Sequence, residues 1–152
     1  MKSLKFAAAL TAILASSAAA GEITVQDAYA RVASKMSKSG AIFLELHNMT
    51  DSDDRLIAAR SDVAKRVELH THQDLGDGVM KMMEVEEGFA IPAQGMHALA
   101  RGGDHIMLMG LTRSLAHGDQ VSVTLDFETA EDLELTILVD VERQDTSKMS
   151  SH

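Results

Sequence analysis

Apolar and polar residues alternate along most of this 152-residue chain. Residues 41–47, AIFLELH, put Ile42, Leu44 and Leu46 on one side. Residues 66–72, RVELHTH, put Val67 and Leu69 on one side and Glu68, His70 and His72 on the other. The same period recurs in 120–128, QVSVTLDFE, where Val121, Val123, Leu125 and Phe127 oppose Ser122, Thr124 and Asp126. In 133–141, LELTILVDV, it aligns Leu133, Leu135, Ile137, Val139 and Val141. Successive side chains of an extended strand point to opposite faces, so the pattern predicts strands with one buried face. Shorter strands are expected near 22–31, 55–59, 79–85, 96–100 and 104–110. Turn-forming clusters separate the runs: NMTDSDD at 48–54, LGDG at 75–78, IPAQG at 91–95, RGG at 101–103 and HGD at 117–119. Short strands at such intervals predict an all-β chain folded as an antiparallel sandwich or barrel. Only SDVAK, 61–65, suggests a helical turn, opened by a Ser61 or Asp62 cap.

The first twenty residues, MKSLKFAAALTAILASSAAA, break the pattern. They hold two lysines, an apolar stretch and small residues ending Ala18-Ala19-Ala20. That is the layout of a cleavable secretory signal with an A-x-A site, its apolar part too short and alanine-rich for a membrane span. Residues 1–20 are read as a signal peptide, 21–142 as one β-sandwich domain and 143–152, RQDTSKMSSH, as a flexible polar tail. The expected product is a periplasmic monomer, not inserted in the membrane once the signal is cleaved.

Two of the 14 basic residues fall in the signal while all 23 acidic ones follow it, so the mature chain sets 12 bases against 23 acids, −11 with neutral histidines. Such a charge repels phosphates and argues against nucleic-acid binding. No basic amphipathic helix offers itself to a membrane surface. The chain has no cysteine. The core must therefore do without disulfides, and a lipid-anchored N-terminal cysteine, thiolate zinc sites and the cysteine ligand of blue copper are excluded.

Against this stand ten methionines and seven histidines. Methionine ordinarily fills gaps in a core. In HIMLM, 105–109, alternation gives Ile106 and Leu108 to the core and turns His105, Met107 and Met109 to the other side. His70 and His72 likewise stand opposite Val67 and Leu69. GVMKMMEV, 78–85, supplies Met80 and Met82 on one face and Met83 on the other. Thioether sulfur is soft and uncharged and imidazole nitrogen is intermediate, so two of each favour Cu(I) over oxygen-loving ions. With no charged ligand to offset a second positive charge, such a set suits carrying the reduced ion rather than cycling it. A lone histidine or methionine is ordinarily structural, and spacing does not by itself make these residues converge. No Ser-His-Asp set, phosphate loop or paired-carboxylate site is recognisable, and no enzyme is expected.

The order of these residues resembles the PCu(A)C family of periplasmic copper chaperones, formerly domain of unknown function 461. Its motif is a His, about ten residues, a Met, about twenty-one residues, then His-x-Met, a pattern that its strand-and-turn context must support. Here His70 stands in VELH, Met82 in DGVMKM, and His105 and Met107 in GGDHIMLMGL. The likeness extends to DAYAR at 27–31, DDRLIAARSD at 53–62, IPAQG at 91–95 and GLTRSLAHGDQVSVTLDFE at 110–128. Eleven residues separate His70 from Met82 and twenty-two separate Met82 from His105, each one more than the family pattern. Met83 restores the second spacing but leaves twelve after His70. Met82 is preferred because it follows DGVMK as the family's methionine does, and the turns in QDLGDG and VEEGFAIPAQG can absorb an insertion. Met83 then joins the core in phase with Val79 and Val85.

The resemblance implies a cupredoxin-like Greek-key sandwich with Cu(I) held at one exposed end by His70, Met82, His105 and Met107. It implies delivery to an apo-protein, either the CuA centre of cytochrome c oxidase subunit II or a Sco-type thiol protein that serves it. Met149 and His152 resemble the short His/Met tails of some members, which implies a Cu(II) contribution from the tail. His72 is a further candidate ligand and Met109 lines the site. His47, at a strand end, is read as merely exposed, and His97 and His117 as turn-edge residues. The rivals are a copper-buffering or resistance protein without a dedicated acceptor and a β-sandwich assembly module whose methionines are only core.

Overall fold

The structure, a computed structural model, describes residues 21–143. The segment read as a signal peptide, and the tail from residue 144 with Met149 and His152, lie outside the described residues. Within them the chain forms β1 (Ile23–Arg31), β2 (Ser39–Asn48), β3 (Asp54–Arg60), β4 (Ala64–Asp74), β5 (Met80–Glu84), β6 (Phe89–Ile91), β7 (Met96–Leu99), β8 (His105–Leu111), β9 (Gln120–Phe127) and β10 (Leu133–Leu138), with no helix.

The strands form two sheets. One runs β1-β2-β8-β4-β5, with β7 pairing the far end of β2; the other runs β10-β9-β3-β6. Every strand pairing is antiparallel, and one isolated parallel bridge joins Ala30 to Val139. The chain passes between sheets after β2, β3, β5, β6 and β8, which makes the predicted antiparallel sandwich. Alternation decides what lies between the layers. Ile42, Leu44 and Leu46 of β2, Leu69 of β4, and Ile106 and Leu108 of β8 are buried in one cluster with Leu56 of β3, Val121, Val123 and Leu125 of β9, and Ile137 of β10. Each such side chain contributes about 1.5–3 kcal/mol over leaving it in water.

Several details depart from the sequence reading. Residues 61–65 make no helical turn: the Ser61 hydroxyl donates to the Ser122 carbonyl and accepts from Val63 N–H, and β4 begins at Ala64. β6 lies inside the stretch read as turn, because three residues are too few for alternation to register. The final strand stops at Leu138, and beyond it Val139 bridges to Ala30. Met83 does not join the core. β5 is the edge of the larger sheet, and Met83 there is 40% exposed.

One irregularity shapes the outer face of the larger sheet. Asp27, at φ +54°, sits in a bulge where β1 spends one more residue than β2, between the pairs Gln26–Glu45 and Tyr29–Phe43. A bulge re-aims the side chains after it, and here it sets the Tyr29 ring 5.3 Å from that of Phe43. Arg143 covers Tyr29 at 4.3 Å and pairs with Asp27, holding that corner closed.

Candidate metal centre

β8 lies between β2 and β4, and this brings distant parts of the chain together. Residues paired across an antiparallel ladder share a face. His70 is paired with His105, Glu68 with Met107 and Arg66 with Met109. On the other side of β4, His72 is paired with Met82 and His70 with Glu84, while Met83 faces Thr71. His70, His72, Met82, His105, Met107 and Met109 therefore all leave the sheet on its outer face. Met83 leaves on the opposite one.

That face is not simply open. His105 is 1% exposed, where alternation alone turned it outward. Its ring lies 5.2 Å from that of His72, 5.9 Å from that of His70 and 6.1 Å from that of Phe43. These rings flank it on the same face, and Tyr29 packs against Phe43 from β1. Met107 and Met109 are half-buried, and Met82, on the edge strand, is 42% exposed. The site thus has a dry histidine floor and an open methionine rim.

The hydrogen bonds fix which nitrogens are free. His105 Nδ1 lies 3.0 Å from the Gly103 carbonyl oxygen, which can only accept, so Nδ1 carries the proton. His70 Nε2 donates to the Glu68 carboxylate at 2.8 Å, with both side chains nearly buried. His72 Nδ1 also reaches the Gly103 carbonyl, at 3.2 Å. His105 Nε2 and His70 Nδ1 are left as lone-pair nitrogens, and both are buried without a hydrogen-bond partner. Unpartnered buried polar atoms are few in folded proteins and destabilising. A metal ion is the partner their chemistry fits, and a second-sphere carboxylate or carbonyl on the far nitrogen is the usual support of a ligating histidine. Burial pushes the pKa of both His70 and His105 below the ordinary histidine value. The Glu84 charge opposes the shift at His70, and the Gly103 carbonyl opposes it at His105. Both rings stay neutral at neutral pH, the form a metal requires.

Among the described residues, no three histidine or carboxylate side chains converge as a metal-binding group. The soft donors on this face are the thioethers of Met82, Met107 and Met109, which share it with His72, Glu68 and Glu84. Sequence reasoning missed the supporting residues Glu68, Gly103 and Phe43. Glu68 was legible in principle, since a glutamate two before a histidine on one strand shares its face. His47, read as merely exposed, is half-buried and bonded to Glu45 at 3.1 Å. His97 stacks on Phe89 and bonds Asp104 at 2.8 Å, and His117 lies exposed beside Asp140.

Comparison with known proteins agrees with this architecture. The family model described as "Putative lipoprotein LpqE-like" matches residues 23–139. The "Putative lipoprotein Lxx21020" of Leifsonia xyli subsp. xyli (strain CTCB07) is 38% identical over 103 residues, covering 68% of this chain and 61% of its own length. The chain thus spans less than two thirds of that relative. The copper-bound PCuAC domain from PmoF2 superposes with a TM-score of 0.65 at 21% identity, over 81% of this chain and 96% of that one. The solution structure of CuI-DR1885 from Deinococcus radiodurans gives 0.65 at 30% identity, over 84% of each chain. The fold is the cupredoxin-like Greek-key sandwich of these domains.

Proposed function

The chain belongs to the LpqE-like family and has the PCuAC domain fold, and on that premise we propose that it is a periplasmic copper chaperone. Its cargo is Cu(I), held by His70 through Nδ1, His105 through Nε2, and the sulfurs of Met82 and Met107. The observation that carries this reading is the pair of buried, unpartnered imidazole nitrogens on neighbouring strands, with Met82 and Met107 on the same face. Two neutral imidazoles and two thioethers match a soft monovalent cation. Support also comes from structural neighbours described as copper-bound and as Cu(I) forms.

The rim explains transfer. Met82 on the open edge strand is the ligand an incoming thiolate displaces first, after which His70 and His105 release the ion. The acceptor is a thiolate copper centre, either the CuA domain of cytochrome c oxidase subunit II or a Sco-type thiol protein. As a carrier the protein performs no turnover. Relatives described as lipoproteins support export, and the signal-like first twenty residues support the periplasm.

Competitive titration with a coloured Cu(I) chelator tests the binding half. A tight first equivalent that M107L and M82L each weaken is expected. Binding no tighter than that of a weak chelator, or undiminished in M82L/M107L, refutes the site. Mixing the loaded protein with apo CuA domain and with a reduced Sco-type protein tests delivery, which fails if copper moves to neither.

A further inference from the structure

The outer face that carries His70 and His105 holds a second group of soft donors farther along β2. Glu45-Leu46-His47-Asn48-Met49 combines in one run two signatures of the first site: Glu-Leu-His, as in Glu68-Leu69-His70, and His-x-Met, as in His105-Ile106-Met107. The repetition holds in three dimensions. Leu46, like Leu69, is buried in the core. His47 Nε2 meets a Glu45 carboxylate oxygen at 3.1 Å, as His70 Nε2 meets that of Glu68 at 2.8 Å. The carboxylate accepts a hydrogen bond from Nε2–H and leaves Nδ1 of His47 as the lone-pair nitrogen.

Two methionines neighbour His47, one by register and one by sequence. His47 is paired directly with Met96 across the β2–β7 ladder, so the two side chains leave the same face with Cβ atoms about 5 Å apart. Met49 follows two residues after His47, its N–H bonded to the Glu22 carbonyl where the β1–β2 ladder runs out. It stands one residue past the end of β2, exposed where its neighbour Asn48 is buried. Met49 and Met96 are 54% and 45% exposed and contribute nothing to the core.

We propose that His47, Met49 and Met96 form a second Cu(I) site. It lies roughly 13 Å along β2 from the Phe43–His105 contact, four residues at about 3.3 Å each. One imidazole and two thioethers suit a soft monovalent cation, Cu(I) or the isoelectronic Ag(I). The site is weaker than the first because it has one imidazole in place of two and opens to solvent. It shares no residue with the His70–His105 site, so either can fail without the other.

The test is a titration of the full chain, labelled with 13C at the methionine methyls, with Ag(I), which needs no reductant. The methyl resonances of Met82 and Met107 are expected to move over the first equivalent. Those of Met49 and Met96 should then move together over a second, while Met36, 87% exposed in the loop between β1 and β2, stays in place. M49L/M96L changes only exposed positions and should abolish the second phase and keep the first. M82L/M107L should weaken the first and keep the second. The proposal is overturned if Met49 and Met96 do not move, if they move in step with Met36, or if the second phase survives in M49L/M96L.

Discussion

A histidine serves a metal only when its proton is held on the other nitrogen, and at His70 a carboxylate holds it. Glu68 accepts from Nε2–H at 2.8 Å, which turns Nδ1 into the free donor. Glu68→Ala removes both the acceptor and a negative charge beside the cargo, and Cu(I) affinity should fall by about 10–100-fold, the usual range for a second-sphere partner. Glu68→Gln keeps an acceptor oxygen and should recover most of that loss, as competitive titration of the two variants would read out. Asp54 uses a carboxylate differently, as a clasp between loops. Burial alone would raise its pKa, but N–H groups of Arg55, Ala130 and Thr129 at 2.7, 2.8 and 3.0 Å outweigh burial and hold it below the ordinary value. Its contribution is therefore present above the unfolded value of about 3.9 and lost as pH falls through the lower folded one. Asp54→Asn should destabilise the fold by about 1–3 kcal/mol in denaturant unfolding at pH 7, and the difference should vanish once acid protonates the wild-type carboxyl.

At the scale of the strand, alternation states which residues share a face but not which strand lies alongside. It was enough to oppose His105 and Met107 to Ile106 and Leu108, and His70 to Leu69. It was silent on β8 entering between β2 and β4, the step that pairs His70 with His105. It also put Met82 and Met83 on opposite faces without saying which one joins the histidines, and the β4–β5 register decides that, with Met82 opposite His72 and Met83 opposite Thr71. The expected core role of Met83 failed for a reason outside the strand's own sequence: an edge position has a neighbour on one side only. Met82→Leu should lower Cu(I) affinity about tenfold or more, which is about 1.4 kcal/mol per decade. Met83→Leu should leave affinity unchanged and shift stability by no more than about 0.5 kcal/mol. Equal losses from both would mean that β5 changes register when copper binds.

At the scale of the whole molecule, His70 and His105 couple the fold to pH. Burial lowers both pKa values, so between the folded values and about 6.5 the unfolded chain binds protons that the folded chain refuses. The penalty on the apo fold is absent above about 6.5, grows as pH drops through that window and is fully present below the folded values. Copper occupies the same nitrogens and excludes the same protons, so it adds stability by mass action at neutral pH. That gain must itself fade as acid competes for His70 Nδ1 and His105 Nε2. The apo protein's Tm should therefore decline as pH falls below about 6.5, a window above the carboxylate titrations and separable from the loss at Asp54. The copper-loaded protein should start higher and decline more steeply, the two curves converging where the ion is released. His70→Gln, which cannot take up that proton, should flatten the apo curve. If it leaves the slope between pH 5 and 7 unchanged, the burial of His70 is not what ties this fold to acid.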